Sequence, residues 1–442
     1  SGFERRDWLY ARSGPTICKR GSMIPLTNTV FCNRCLYGTD HPLGLTLDQE
    51  GVCSGCRIHE EKDRLDWADR WSRLEKITKP FRCSSGKNYD CIVPVTGGHE
   101  SYWMVHLVKE RLKLNPLLVT YNKYFNTPIG IRNLANLRIR FNCDILVQNV
   151  NPESVKRITR TTLRQFGSIY WPCLAGQTVF PVQVAVTHRI PLIIWGAHQG
   201  VEQVGMFSHE HEVQMTRRYR KEHDLMGYEA DDLLTIFDNL SEQDIWQYRY
   251  PDDATLNEIG VTGIYLSNYV RWDPKTQDEA MIAMHNFNSH ARVRTFDTYD
   301  HVDCFNYLNL HDQLKLYKHG YSKVTDHACQ EIRHGRLMRH EGEFLVRHYE
   351  QQHTSHLDLF HQWLGVTESG LGFLLDQHRN KKYWQQNDWN DWAFLGWSHC
   401  RSSSQVQGGD SIEPVKRRLN FLDNTESSRN QSGYITIGKG YP

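Results

Sequence analysis

Between Tyr89 and Gly196 short apolar blocks alternate with longer stretches of helical period. Cys91-Ile92-Val93-Pro94-Val95, Leu117–Tyr121, Asp144–Val147 and Pro191–Gly196 have the length and composition of buried strands. Between them, Trp103, Met104, Val105, Leu107, Val108 and Leu112 recur at helical spacing, as do Ile129, Ile131, Leu134 and Leu137. Further helices are predicted over 152–166 and 180–187. Strands that alternate with helices predict an α/β fold, a parallel sheet covered on both faces. Upstream, residues 59–79 read as one charged helix with Leu65, Trp67, Trp71, Leu74 and Ile77 on its apolar side, ended by Pro80. Downstream, a helix starts near Ser241, and 355–384 read as a terminal helical pair. Past about residue 400 the chain turns to Ser, Gly, Gln and Asn, which predicts a disordered or loosely docked tail.

These shifts divide the chain into an N-terminal segment (1–30), a cysteine knuckle with linker helix (31–80), and the α/β unit (81–235). A mainly helical C-terminal region (236–395) and a low-complexity tail (396–442) follow. Ligands of open parallel sheets gather at the carboxyl ends of the strands. That rule puts Thr96–Ser101, Tyr121-Asn122-Lys123 and Gly196-Ala197-His198 around one crevice. In Thr96-Gly97-Gly98-His99-Glu100-Ser101, two glycines lead from a strand into a helix. Backbone N–H groups at a helix start suit an anion, and phosphate best. No Gly-Lys-Ser/Thr follows, so this is not a Walker loop, nor is it a Gly-x-Gly-x-x-Gly fingerprint. An ordinary strand-to-helix turn carries the same glycines, so the loop alone leaves both readings open.

Composition narrows the classes. Lys and Arg number 52 against 51 Asp and Glu, which gives no general attraction to nucleic acid or an anionic membrane. There is no apolar run of transmembrane length and no apolar signal region near residue 1, so a cytoplasmic location is expected. Of 12 cysteines, Cys32, Cys35, Cys53 and Cys56 form two Cys-x-x-Cys pairs at the spacing of a structural zinc site. The scattered remainder argues for a reducing compartment. His209-Glu210-His211 lacks metal-helix spacing and reads as a polar loop. Between 269 and 349, charged groups interleave with aromatics, as in a pocket for an anionic, ring-bearing ligand. Asp312, Asp326, Arg333 and Arg336 are its candidate substrate residues, while a surface helix explains many of the others.

The loop resembles the pyrophosphatase loop (PP-loop) Ser-Gly-Gly-x-Asp-Ser of enzymes that split ATP into AMP and pyrophosphate, with Thr96 and Glu100 as conservative changes. Across roughly residues 30–385, the ordered features resemble the N-acetyl sugar amidotransferase family of lipopolysaccharide and pseudaminic-acid type pathways. They are Gly51-Val52-Cys53 with Cys56, the loop, Asn126, Arg132-Asn133-Leu134, and Pro181-Val182-Gln183-Val184-Ala185 before Ile194-Trp195-Gly196. Tyr269 with Trp272-Asp273 and the run from Lys318-His319-Gly320-Tyr321 to Arg336 complete the set.

The resemblance implies a HUP-like (adenine nucleotide alpha hydrolase) fold that uses ATP, Mg2+ and structural Zn2+. It implies that an acetamido oxygen of a nucleotide sugar is adenylated and that ammonia then displaces AMP, leaving an acetamidino group. ATP contacts are expected at Thr96, Gly97, Gly98, Glu100, Ser101, Tyr121, Trp195 and Gly196, and catalysis at Glu100, Ser101, Lys318 and Lys323. An ammonia-donating glutamine amidotransferase, sometimes with a cyclase-like subunit, is the implied partner, with no nucleic acid and no membrane. A homodimer through the C-terminal helices is compatible with the pattern. Two departures stand out: Glu100 replaces the usual Asp, and His99 stands where Lys is frequent. Two alternatives remain: a PP-loop tRNA thiolase, against which the balanced charge and isolated Cys91, Cys143 and Cys173 argue, and a catalytically altered nucleotide-binding protein.

Overall fold

Five parallel strands lie in the order β3-β2-β1-β4-β5 in the computed structural model, which describes residues 29–389, 391–395 and 412–424. They are β1 (Cys91–Pro94), β2 (Pro116–Tyr121), β3 (Ile145–Gln148), β4 (Leu192–Trp195) and β5 (Thr262–Tyr265). Period-two alternation sends Cys91 and Val93 to one face, where they pack with Tyr102, Met104 and Val105 of α3 (His99–Val105). Ile92, Leu117, Val119 and Ile193 go to the other face, against Val182, Val184 and Ala185 of α6 (Trp171–Thr187). Both faces are therefore covered, as the apolar blocks predict. α4 (Pro128–Arg140) and α5 (Pro152–Phe166) complete the unit, each with Pro at N1 after a capping Thr127 or Asn151.

The structure revises several expectations. The charged stretch 59–79 is two helices, α1 (Ser54–Glu61) and α2 (Trp67–Thr78), because Asp66 caps the second through Ala68 N and Asp69 N. At the break, Lys62 turns inward to Glu202. α6 is longer than 180–187, with Pro172 at its start and Pro181 inside it. β5 is not predicted from the sequence: Thr-Gly-Ile-Tyr is too short and too interrupted to read as a strand, and pairing with β4 makes it one. The terminal pair appears as Leu357–Leu364 and Glu368–Asp376. Within the expected tail, residues 412–424 are docked: a helix spans Glu413–Leu419, Leu419 is buried, and Asn424 Oδ1 accepts from Ser289 N at 2.6 Å. The rest of the expected tail and most of the N-terminal segment lie outside the described residues. Among the described residues no helix is long and apolar enough to cross a membrane.

The C-terminal region closes over the strand ends of the sheet. Phe305 N donates to Phe125 O at 2.8 Å, Thr127 N to Asp303 O at 3.3 Å, and Thr127 Oγ1 to Val302 O. Residues 302–305 thus lie against the start of α4.

Candidate active site

The loop after β1 is held from within. Thr96 N donates to Ser101 Oγ at 2.9 Å, and Gly98 N donates to Thr96 Oγ1 at 2.9 Å. A methyl on Gly97 would sit 2.1 Å from Gly130 O, and a methyl on Gly130 would sit 2.4 Å from Asp303 Cα. The loop, the first turn of α4 and the 302–305 turn are therefore stacked at backbone distance, which only glycine permits. Asn133, fully buried, donates from Nδ2 to Gly97 O at 3.2 Å and to Asn288 O at 2.9 Å, tying the loop to α4 and to the segment around Asn288.

A cavity of about 410 Å³ opens from the loop, lined by Thr96, Gly98–Ser101, the ends of β2 and β4, and Asp300, Asp303 and Lys323 from the C-terminal region. A neighbouring cavity of about 230 Å³ lies past Gly97 along the ends of β2 and β3. It presents apolar Ile131, Leu134 and Val147 together with Asn122, Asn126 and Asn149.

The larger cavity holds a chain of charge. His99 Nδ1 lies 2.9 Å from Asp278 Oδ2, and its Nε2 lies 3.4 Å from Asp300 Oδ1. Asp300 Oδ2 is also 2.9 Å from His327 Nε2 and 3.4 Å from Lys323 Nζ, and His327 Nδ1 meets Thr295 Oγ1 at 2.7 Å. Burial disfavours the His99 imidazolium, but Asp278 and Asp300 outweigh it and hold the pKa well above the usual histidine range. A cation therefore stands at this loop position. Burial pushes the Glu100 carboxyl upward. Lys123 and Asp303 form an ion pair with both side chains 3% exposed. Asp303 Oδ1 has no hydrogen-bond partner among the described residues and lies 3.2 Å from where a Cβ on Gly98 would be.

Residues 293–396 match the family model described as the C-terminal domain of LPS biosynthesis protein WbpG-like proteins. The C-terminal region is WbpG-like. This match supports the LPS-type N-acetyl sugar amidotransferase family to which the motifs point. A stretch of 118 residues is 25% identical to an uncharacterized protein of Methanocaldococcus jannaschii, over 27% of this chain and 42% of that protein. The chain thus spans less than half the length of this curated relative. The solved NMN synthetase of Francisella tularensis aligns with 52% of this chain and 98% of its own, at 12% identity and a TM-score of 0.25.

The WbpG-like region supplies Asp300, Asp303, Lys323, Asp326 and His327 to the cavity wall. Of the residues expected from sequence, Thr96, Gly98, Glu100, Ser101, Tyr121, Trp195, Gly196, Lys323, Asp326 and Arg333 line the large cavity, while Gly97 lines the smaller one. Three others stand elsewhere. Lys318 Nζ donates to Phe166 O at 2.8 Å, on the last turn of α5. Asp312 is buried against Arg294 at 2.9 Å. Arg336 is spent on Glu331 and Asp273. Lys318 and Asp312 share one helix, Asp312–His319, that turns them to Phe166 O and Arg294, and Arg336, in the turn after Lys323–Arg333, faces two carboxylates. The sequence reading gave no role to Lys123, Asp278, Asp300, Asp303 or His327. Lys123 sat in the predicted crevice and Asp300 and Asp303 in the charged-aromatic run, but nothing local marked them.

The four predicted cysteines converge. Their sulfurs all lie within 4.8 Å of one another, with Cys35–Cys53 at 3.6 Å and Cys32–Cys56 at 4.0 Å. Tetrahedral zinc with Zn–S bonds of about 2.3 Å sets sulfurs about 3.8 Å apart, so the donor set fits. Cys53 N donates to Cys32 Sγ at 3.2 Å, and the Arg333 guanidinium stands 3.7 Å from Cys53 Sγ, a counter-charge for four thiolates. Arg333 also donates to Gln203 O at 2.8 Å, so one side chain joins the knuckle to the cavity wall. His209 is fully buried between the carboxylates of Glu61 (3.3 Å) and Glu202 (3.6 Å), apart from the cysteine cluster.

Proposed function

We propose that the chain is a PP-loop enzyme that adenylates the acetamido oxygen of a sugar or nucleotide sugar and converts it, with ammonia, to an acetamidino group. The observation that carries this reading is the stacking of the Gly97-Gly98 loop, Gly130 and Asp303, which sets a carboxylate of the WbpG-like region on a phosphate-type loop. The loop N–H groups, the helix start and the His99 cation suit the β- and γ-phosphates. The smaller cavity, apolar with three asparagines, suits the adenosine. Glu100 and the free Oδ1 of Asp303 would hold Mg2+, which neutralises phosphate charge when bound. Glu100 Oε2 lies 3.1 Å from the place a Cβ on Gly196 would take, so the missing side chain there gives the longer carboxylate its room.

In the reaction, the amide oxygen attacks the α-phosphorus, and the bond to the bridging oxygen breaks to release pyrophosphate. Ammonia then adds to the activated carbon, and AMP leaves with the C–O electron pair. The surplus proton passes from the new nitrogen to a second ammonia molecule, which leaves as ammonium, so Glu100 stays available as a ligand for Mg2+. Lys323, held by Asp300, compensates charge on the departing pyrophosphate. A glutamine amidotransferase partner would supply ammonia to a site shielded from water. The thiolase alternative finds no support, since Cys91, Cys143 and Cys173 are absent from both cavity walls.

Product analysis with Mg-ATP, an ammonium salt and a panel of acetamido sugars tests the reading. AMP formation coupled to replacement of an amide oxygen by NH is the expected result. ADP as the sole nucleotide product would refute it. ATP binding without turnover on any acceptor, restored by Glu100→Asp, would favour the catalytically altered binding protein instead.

A further inference from the structure

The far end of the large cavity contains polar groups that neither the fold nor the nucleotide chemistry uses. Arg220 is 6% exposed; its Nη1 pairs with Asp224 Oδ2 at 2.8 Å and the guanidinium also interacts with the Tyr265 hydroxyl, while Nε and Nη2 have no hydrogen-bond partner of ordinary geometry among the described residues. The guanidinium lies 4.0 Å over the ring of Trp195. His198 is 1% exposed, and both of its ring nitrogens are likewise unpartnered. Its ring is held 4.4 Å from Tyr219 and 4.6 Å from Tyr265, centroid to centroid. All five of these side chains line the cavity with Asp224.

Position gives these groups a meaning. Trp195, Gly196, Ala197 and His198 are consecutive at the carboxyl end of β4, and Gly196 packs against Glu100 of the phosphate loop. A ligand group at Arg220, over the Trp195 ring, would therefore lie next along β4 to Gly196 and Glu100, in the same cavity as the loop, within reach of a second substrate. A planar guanidinium, fixed by stacking and by one carboxylate, offers its remaining N–H groups as a fork matched to a carboxylate or phosphate. Leaving such donors buried and unpaired is costly, and an oxyanion repays the cost. Neutral His198, whose pKa burial pushes down to about 4, offers one donor and one acceptor beside it.

We propose that Arg220, assisted by His198, forms an oxyanion subsite that seats the acceptor sugar through its carboxylate or its diphosphate. This rests on the amidotransferase reading for the identity of the acceptor, but not for the existence of the anion site.

Direct titration of the full chain by calorimetry tests it, with uridine diphosphate, N-acetylglucosaminuronate, neutral N-acetylglucosamine and ATP as probes. Arg220→Met keeps the apolar stem on Trp195 and removes the fork. It should weaken at least one anionic probe by about ten- to hundredfold while ATP affinity stays within about twofold. Loss for uridine diphosphate identifies the diphosphate as the seated group, and loss for the uronate identifies the carboxylate. Asp224→Asn breaks the same ion pair but frees the guanidinium, so anion affinity should hold or rise. If the two variants lose anion affinity together and unfold at the same lowered temperature, Arg220 is a structural partner of Asp224 and the proposal is overturned. It is also overturned if the wild type binds neither anion, or if Arg220→Met binds both as the wild type does. Failure of the wild type to bind ATP, with Arg220-dependent anion binding intact, would refute the nucleotide reading alone.

Discussion

Gly130→Ala separates two physical effects of opposite sign. Gly130 has helical geometry inside α4, and in a helix Ala is better than Gly by up to about 1 kcal/mol. Considered locally, the substitution should stabilise. The structure says otherwise, because the added methyl would lie 2.4 Å from Asp303 Cα, 2.7 Å from its Cβ and 2.9 Å from its carbonyl oxygen. Carbon atoms need about 3.5 Å, so the 302–305 turn would have to retreat by about 1 Å. Those atoms are mostly backbone and cannot rotate aside. The turn is anchored by Thr127 N to Asp303 O, Thr127 Oγ1 to Val302 O and Phe305 N to Phe125 O, each worth about 0.5–1.5 kcal/mol net. Overpacking of this kind costs about 1–3 kcal/mol, more than the propensity gain. We expect Gly130→Ala to be less stable than wild type by about 1–2 kcal/mol in urea unfolding followed by tryptophan fluorescence. ATP affinity should fall as well, since Asp303, whose Oδ1 lies against Gly98, moves. A variant as stable as wild type, or more stable, would refute the seating of the C-terminal turn on α4 and with it the composite site.

Three further outcomes follow from individual contacts. Metal analysis should find one zinc per chain, lost in Cys53→Ser together with a lowered unfolding midpoint; a metal-free wild type with unchanged stability would contradict the thiolate site. Burial opposes ionisation of Glu202, but Lys62 and His209 outweigh it and hold its pKa down to about 2, against 4.5 in the free state. A depressed carboxyl contributes stability that is present above its unfolded pKa, so this contribution, on the order of 3 kcal/mol, is lost as pH falls from 4.5 towards 2. Glu202→Gln should be less stable at neutral pH and lose less stability over that acid range, and equal acid slopes would argue against the pair. Finally, Lys323→Met should lower AMP formation by at least about tenfold, whereas Lys318→Met, which removes only a donor to Phe166 O, should leave turnover near wild type. Equal losses in the two variants would place Lys318 back at the site.

Much of the molecule was legible in local pattern. Continuous apolar blocks gave four of the strands, because burial on both faces leaves an uninterrupted hydrophobic signature in β1, β2 and β4, and half-buried β3 keeps an apolar run as well. The cysteine pairs were legible because two short knuckles already set each pair of thiols for one metal. The glycine turn between β1 and α3 was legible from its residues, whereas the glycines alone left a phosphate loop and an ordinary strand-to-helix turn equally open. Tertiary structure decided what lies opposite that loop. Asp303 reaches Gly98 only because Gly97 and Gly130 let three distant segments stack, and no window of sequence contains all of them. Lys318 and Lys323 look equivalent in the chain. Gly320, at φ 70°, ends one helix between them and Lys323 opens the next, so one lysine points to Phe166 and the other to Asp300. Residue type and period are fixed position by position, whereas the choice of a buried charge's partner depends on how separate elements pack, and only the folded chain brings those elements into contact.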